Sequence, residues 1–273
     1  MTVIPIERPD DPRIAAFRDI RERDLTGREG LFIAEGAVVV RQLASPHALA
    51  TPRALLLAAN RVEAMGDVIA SLEGRAPVYA ADQAVLDAIA GFALHRGILG
   101  LGQRPPRHGL EAVAPPRDAP AVVLATSGIG NHDNMGGLFR NAAGFGADGV
   151  VLDARCCDPF YRKAIRVSAG AVLRTPTAYA GEAGAMVEAL MGQGFEVIAL
   201  TPTGGEPLSE MVPAARTAVL VGSEGPGLDR AVIERCRAIS IPMAADFDSL
   251  NVATAAALAL HHLAAKRGRS PDR

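Results

Sequence analysis

Beyond Ala121 the sequence alternates short apolar runs with longer segments of helical periodicity, and this alternation restricts the possible folds more than any other feature. The strand-like runs are AVVLAT, GVVLDA, EVIALT, AVLVG and AISIPM. Between them lie predicted helices, one with Met135, Leu138 and Phe139 at helical spacing and one, GAMVEALMGQ, that ends at Gly194. Such alternation predicts a mainly parallel sheet covered on both faces. The working site of such a fold lies beyond the carboxyl ends of its strands.

Two further helices are expected in this part of the chain, one opened by Asp158-Pro159 and a long alanine-rich one from about Asn251. Ahead of this region, DPRIAAFRDIRERD and DQAVLDAIAG have helical patterns, whereas GLFIAEG and RALLLAA resemble strands. These segments predict a small mixed α/β unit. Residues 103–120, rich in proline and arginine, separate the two regions and predict an interdomain linker.

Composition indicates a globular chain and excludes binding of nucleic acid by bulk positive charge. The chain has 273 residues, of which 49% are hydrophobic, and a formal net charge of -2. Charged residues and prolines interrupt every apolar stretch, and the N-terminus lacks the apolar run of a signal peptide, so we expect a cytoplasmic location. Three cysteines, including the adjacent Cys156 and Cys157, form neither a disulfide framework nor a zinc motif. They are expected to be buried or half-buried thiols.

The loop after the first strand, SGIGNHDN, is rich in glycine and short polar side chains. It is not a dinucleotide fingerprint, because Asp133 stands where the third glycine is required, and no Gly-Lys-Ser/Thr forms a phosphate-binding loop. In the helix that follows, Arg140 lies outside the centre of the apolar stripe. Arg140 is therefore either a side chain that points into a cleft or an ordinary surface arginine.

Two later loops also follow predicted strands. In LVGSEGPGLD, three glycines surround Glu224, which indicates a backbone shaped to place this side chain or to admit a ligand. In ISIPMAADFDSLN, three polar residues precede an apolar helix, and helix capping accounts for one of them. His261 and His262 near the end of that helix lack partners at ligand spacing, so no metal site is expected.

Together and in this order, the three loops resemble the three motifs of the SpoU (TrmH-type) methyltransferases of the SPOUT superfamily, over residues 121–265. The matching segments are Asn134-Met-Gly136 with Arg140-Asn-Ala and Phe145-Gly146, Gly222-Ser-Glu224-Gly225 with Gly227, and Ile241-Pro242-Met243 with Ser249-Leu250-Asn251-Val252. The segment from Asp158 to Gly170 also resembles a family segment that ends in Ser-x-Gly. Two departures are Asn131-His132-Asp133, where an Asp-Pro pair is usual, and Asn141, where threonine is common.

The resemblance implies an α/β fold of SPOUT type with a C-terminal deep trefoil knot, a homodimer, and transfer of a methyl group from S-adenosylmethionine to a ribose 2'-hydroxyl without a metal. It implies cofactor contacts from Gly222, Ile241, Met243, Ser249 and Leu250. It places Arg140, from either subunit, beside the hydroxyl, and has Asn134, Glu224 and Asn251 orient the arginine or the substrate. Because an arginine stays protonated, we expect Arg140 to act electrostatically rather than as a base.

Weaker similarity links the N-terminal region, through FIAEG (32–36) and HRGIL (95–99), to the RNA-binding domain often attached in this family. The predicted division is an RNA substrate-binding domain at 1–102, a linker at 103–120 and the methyltransferase domain at 121–273. A local basic cluster suggests RNA contacts from Arg162, Lys163 and Arg166, with Ser168 of the Ser-x-Gly segment. Ribosomal RNA is the expected substrate. The alternatives are a tRNA 2'-O-methyltransferase, a non-catalytic RNA-binding protein with this fold, and a nucleotide-dependent enzyme acting on a small molecule.

Overall fold

The computed structural model of the protein describes residues 2–18, 30–90, 97–202, 204–244 and 248–267. The chain forms two compact units, and each unit is built from two separate stretches of the chain. Unit 1 comprises Met1–Pro106 and Pro159–Arg174, and unit 2 comprises Arg107–Asp158 and Thr175–Arg273. The predicted end of the first helical segment (19–24) and His95-Arg96 lie outside the described residues.

The strands of the described chain are β1 (Ile4–Ile6), β2 (Leu31–Glu35), β3 (Thr51–Ala58), β4 (Val78–Ala81), β5 (Ile98–Gln103), β6 (Ala121–Thr126), β7 (Gly149–Leu152), β8 (Thr177–Tyr179), β9 (Glu196–Thr201), β10 (Glu206–Pro207), β11 (Arg216–Val221) and β12 (Arg237–Ser240). The α-helices are α1 (Ala37–Ala44), α2 (Gly66–Ser71), α3 (Gln83–Ala90), α4 (His132–Gly144), α5 (Arg162–Val167), α6 (Ala183–Gly192), α7 (Arg230–Ile233) and α8 (Val252–Lys266). Short 3-10 helices cover Pro12–Phe17, Ala59–Arg61, Glu63–Met65, Leu110–Ala112 and Ala171–Leu173.

Unit 1 is built on a mixed sheet with strand order β1-β4-β3-β5-β2. Strands β1, β4 and β3 are parallel, and β5 is antiparallel to both β3 and β2. One face packs on the 3-10 helix Pro12–Phe17 and on α3, which bury Ile14, Phe17 and Leu86 against the sheet residue Leu56. The expectation of a small mixed α/β unit is confirmed.

Unit 2 contains, among its described residues, a seven-stranded sheet of order β10-β12-β9-β11-β6-β7-β8, in which every strand pair is parallel. Every residue of the central strands β6 and β11 is buried, which explains why the apolar residues within each strand follow one another without alternation. On one face, Met186, Val187 and Leu190 of α6 pack against these strands. The predicted mainly parallel α/β fold is confirmed, whereas the trefoil knot stays a prediction.

Two helix predictions are corrected in detail. Residues from Pro12 to Phe17 form a 3-10 helix rather than the start of an α-helix, because the backbone at Ile14 leaves helical geometry. Helix α5 begins at Arg162 and not at Asp158-Pro159. Phe160 is buried with its ring centroid 5.3 Å from that of Phe32 of β2, so the chain enters the core of unit 1 before the helix begins.

The segment Pro159–Arg174, predicted within the methyltransferase domain, packs on unit 1. The amide of Leu49 donates a hydrogen bond to the carbonyl of Leu173, and Arg174 donates one to Gln42 on α1. At Gly170, where φ is +83°, a Cβ atom would approach the side chain of Gln42 to 2.9 Å. The candidate RNA-binding residues on α5 therefore belong structurally to the N-terminal unit.

The predicted linker is mostly part of unit 2. Gln103 ends β5 in unit 1, whereas the backbone of His108 pairs with that of Ala178 in β8. Farther along, the guanidinium of Arg216 donates to the carbonyl oxygens of Pro115, Pro116 and Ala119. These bonds hold a proline-rich segment that has little secondary structure of its own. No helix among the described residues is both long enough and apolar enough to cross a bilayer.

Candidate active site

A cavity of about 560 Å³ opens at the carboxyl edge of the unit 2 sheet, where β9, β11 and β12 end. Its walls come from the strand ends, the loop after β11 and the approach to α8. The lining residues are Leu200, Thr201, Pro202, Val221, Gly222, Ser223, Glu224, Gly225, Pro226, Gly227, Leu228, Ile233, Ile239, Ile241, Met243, Ser249, Leu250, Asn251, Val252 and Ala255. A cavity in this place agrees with the rule for ligand sites in parallel α/β sheets.

All five residues predicted to contact the cofactor line this cavity, namely Gly222, Ile241, Met243, Ser249 and Leu250. Glu224 and Asn251 of the predicted catalytic set also line it, whereas Asn134 and Arg140 do not. Sequence reasoning missed the wall formed by Leu200, Thr201 and Pro202. Its position at the end of the parallel strand β9 is the signal that could have revealed this wall.

The loop after β11 is a tight turn that only glycine permits at its start. A Cβ atom on Gly222 would lie 2.5 Å from the carbonyl carbon of Gly227. Ser223 and Gly227 pair across the turn, and Gly225 and Gly227 adopt positive φ angles of +83° and +69°. Glu224 is exposed at the tip, where among the described residues it has neither a hydrogen bond nor an ion pair. Its carboxylate is thus available to a ligand.

Helices α4 and α8 meet through a pair of asparagines that lie far apart in the sequence. The side-chain amide of Asn251 donates a 2.8 Å hydrogen bond to the side-chain oxygen of the buried Asn134. The side-chain oxygen of Asn251 accepts from the amides of Ala253 and Thr254, which makes Asn251 the N-cap of α8. Asn251 therefore fixes the start of the helix and the orientation of Asn134 together.

The packing of α4 on α8 is close along the same edge. A Cβ atom on Gly137 would come within 2.9 Å of the Ala253 Cβ, so this glycine permits the close approach. Asn141, one of the departures from the family pattern, donates a 2.7 Å hydrogen bond to the carbonyl oxygen of Ala253. The amide at position 141 thus supports the helix pair that carries both asparagines of the predicted catalytic set.

Arg140 lies on the solvent side of α4 and has no partner in the described part of the chain. Arg140 is not among the residues that line the cavity. No group of three or more His, Cys, Asp or Glu side chains within the described ranges is arranged to hold a metal.

A second polar cluster, missed from the sequence, lies where β6 and β7 end. The carboxylate of Asp153 is fully buried and accepts hydrogen bonds from the Ser127 hydroxyl at 2.7 Å and from the Gly128 and Arg155 amides at 3.0 Å. Burial raises the pKa of Asp153, but these hydrogen bonds outweigh burial and hold the pKa below its ordinary value. Asp153 is therefore a buried anion at the edge of the sheet that carries the cavity.

The candidate RNA-binding residues differ in exposure. Lys163 and Arg166 are exposed on α5, Arg162 is half-buried, and Arg166 lies 4.0 Å from the carboxylate of Glu35. Ser168 is buried, and its hydroxyl donates to the carbonyl oxygen of Ile165. In the described structure Ser168 therefore closes the end of α5, and its contact with RNA stays a prediction.

The comparisons with known proteins agree with the fold and the loops. The SpoU rRNA Methylase family profile matches residues 121–261. An uncharacterized tRNA/rRNA methyltransferase from Mycobacterium bovis is 41% identical over 263 residues, which cover 93% of this chain and 88% of that protein. The chain is an RNA methyltransferase, and within that class it belongs to the SpoU rRNA methylase family.

Two solved structures show the same fold over nearly the whole chain. The AdoMet-bound rRNA methyltransferase from Sinorhizobium meliloti has a TM-score of 0.77 at 23% identity, and the match covers 98% of this chain and 99% of that one. A structure described as an RNA 2'-O ribose methyltransferase has a TM-score of 0.77 at 25% identity, with 97% and 99% of the two chains covered. The predicted resemblance to the SpoU family is confirmed.

Proposed function

We propose that this enzyme transfers a methyl group from S-adenosylmethionine to a ribose 2'-hydroxyl of ribosomal RNA. The observation that carries the proposal is the cavity at the carboxyl edge of the sheet, because residues of both the second and the third family motif line it. Similarity to a solved RNA 2'-O ribose methyltransferase supports the choice of the hydroxyl, and the family description supports ribosomal RNA.

The cavity suits S-adenosylmethionine better than a phosphate-bearing cofactor. Its volume of about 560 Å³ is typical of small-molecule sites. Glu224 is the one ionisable side chain among the lining residues, so the described wall has a carboxylate for a sulfonium cation and no cation for a phosphate. The chain leaves β12 after Ser240, so Ile241 and Met243 lie outside the strand ladder and can offer backbone groups and apolar surface to an adenosine.

When bound, S-adenosylmethionine supplies the methyl group, which moves to the ribose oxygen as the carbon–sulfur bond breaks. The hydroxyl proton leaves to a phosphate, a water or a neighbouring acceptor. The contribution of the protein is to align the two ligands and to stabilise developing charge on oxygen. Asn251, fixed by its bonds to Asn134 and to the start of α8, is a rigid polar group on the cavity wall for this purpose.

We assign charge stabilisation at the ribose oxygen to Arg140. Its guanidinium is permanently protonated, so it can lower the cost of forming an alkoxide but cannot accept the proton. Arg140 is exposed, unpaired among the described residues and absent from the cavity wall of its own subunit. These observations support a homodimer in which the arginine of one subunit serves the cavity of the other.

RNA binding is assigned to unit 1 through Arg162, Lys163 and Arg166. Cations on one short helix can position a phosphate backbone without reading its sequence. The return of Pro159–Arg174 to unit 1 supports this assignment, because it adds these side chains to the unit that resembles an RNA-binding domain.

The test is transfer of labelled methyl groups from S-adenosylmethionine to purified rRNA and tRNA, followed by mapping of 2'-O-methyl positions. We expect incorporation into rRNA at a ribose. Incorporation into tRNA alone, or into a base, contradicts the proposal. Arg140→Ala should keep cofactor affinity and lose about 100-fold or more in rate, in line with the removal of one charge-stabilising group. Full activity in this variant contradicts the role of Arg140.

A further inference from the structure

Arg155 is surrounded by acidic side chains from three segments of unit 2. Its guanidinium lies 3.6 Å from the carboxylates of Asp153 and Glu182 and 3.9 Å from that of Asp229. It also donates a 3.3 Å hydrogen bond to the hydroxyl of Ser127. Along the sequence Arg155 lies close to the basic residues Arg162, Lys163 and Arg166, but the charged groups around it in the structure are carboxylates.

The position of Asp229 gives this arrangement a connection to the cavity. The turn after β11, which carries Glu224 and lines the cavity, runs from Gly222 to Leu228 and ends at Asp229, the residue before α7. The near end of this turn is fixed, because Val221, the last residue of β11, accepts a hydrogen bond at its carbonyl from the amide of Ser127. The far end leads into a helix of one turn, and the carboxylate of Asp229 makes no capping bond there.

We infer that Arg155 is a positioning residue that holds the far end of the Glu224 turn against the end of β7. Asp153 holds the guanidinium on its buried side, because the carboxylate of Asp153 is itself fixed by burial and by hydrogen bonds from two backbone amides. The inference rests on the proposed function, because it assigns to this contact a part in binding S-adenosylmethionine.

Direct contact between Arg155 and the RNA backbone is the competing assignment. A phosphate that approached this guanidinium would meet the carboxylates of Glu182 and Asp229, which are both largely exposed beside it. Like charges at this distance repel, and the arginine is already shared among three anions. The geometry therefore favours a contact within the protein over a contact with substrate.

The experiment uses four full-length variants. It measures the Kd of S-adenosylmethionine by calorimetry and, separately, the kcat of methyl transfer and its KM for S-adenosylmethionine. Arg155→Met removes the charge, and Arg155→Lys restores it. Asp229→Asn breaks the contact with the turn, whereas Glu182→Gln removes an acid that also faces Arg155 but lies outside the turn. Because the contact is partly exposed, we expect Arg155→Met and Asp229→Asn each to raise Kd and KM about twofold to fivefold, with kcat changed less.

Arg155→Lys should recover part of the affinity, and Glu182→Gln should stay within about 1.5-fold of the wild type. The difference between wild type and Arg155→Met should also shrink at high salt, because exposed ion pairs are screened. An unchanged Kd in Asp229→Asn, or an equal loss in Glu182→Gln, overturns the inference, and neither exposed substitution threatens folding. If wild type binds S-adenosylmethionine and the variants bind equally, only the inference fails. If wild type does not bind it, the proposed function fails as well.

Discussion

Replacing Asn251 tests whether this residue stabilises the protein by capping α8 and by bonding to Asn134 on α4. In Asn251→Ala the helix loses its N-cap, which costs roughly 1 kcal/mol. The buried oxygen of Asn134 also loses its donor, which costs about 1–3 kcal/mol. Because both losses occur in one substitution, we expect the free energy of unfolding to fall by about 2–4 kcal/mol.

Asn251→Asp is the matched control. Aspartate caps helices as well as asparagine does. The amide of Asn134 can turn over to donate to the new carboxylate, because its oxygen and nitrogen ends are interchangeable in shape. This variant should therefore keep most of the stability. If the amide of Asn251 also orients substrate, as proposed, it should lose methylation rate while the protein remains folded.

The assay is urea unfolding followed by far-ultraviolet circular dichroism, since the chain has no tryptophan for fluorescence. Loss of less than about 0.5 kcal/mol in Asn251→Ala would refute the structural reasoning, because that is the range of ordinary surface substitutions. An equal loss in the Ala and Asp variants would also refute it, because the Asp variant should keep both the N-cap and the hydrogen bond to Asn134, whereas the Ala variant loses both.

Three further predictions concern other sites. Gly222→Ala should abolish measurable binding of S-adenosylmethionine in calorimetry, because its Cβ would lie 2.5 Å from backbone; Gly130→Ala, which meets nothing within 4 Å, is the control. Arg216→Met should lower stability in urea by roughly 2–4 kcal/mol, since it leaves several backbone carbonyls without a donor; no measurable loss would contradict this. Burial raises the pKa of Cys156 to about 11 and of Cys157 to about 12. Their thiolates therefore form only as pH rises toward those values, so a thiol reagent should label both slowly at pH 8 in the native protein and rapidly after unfolding.

Much of the cavity wall was predictable because local sequence carries its chemistry. Gly222, Gly225 and Gly227 are needed where the backbone turns tightly, and such positions are visible in the sequence as glycine next to a strand end. The polar residues before α8 were visible in the same way, although the sequence could not say which of them caps the helix. The structure assigns that role to Asn251.

The environment of Arg155 could not be predicted, because its partners come from four separate segments. Asp153 is a near neighbour, but Ser127, Glu182 and Asp229 lie in loops after or before other elements. A sequence shows charge only along the chain, and along the chain Arg155 lies near basic residues. Only the sheet order brings the acids to it.

The sequence by itself determined the alternation of strands and helices, the glycine-rich turn around Glu224 and the family of the protein. Periodicity and local backbone requirements are properties of neighbouring residues, so they can be read from the sequence. The tertiary structure decided which distant groups meet. It joined Asn134 to Asn251 across 117 positions, placed Pro159–Arg174 on the N-terminal unit and left Arg140 outside the wall of the cavity. Long-range packing fixes such contacts, and no short segment of sequence contains the information that specifies them.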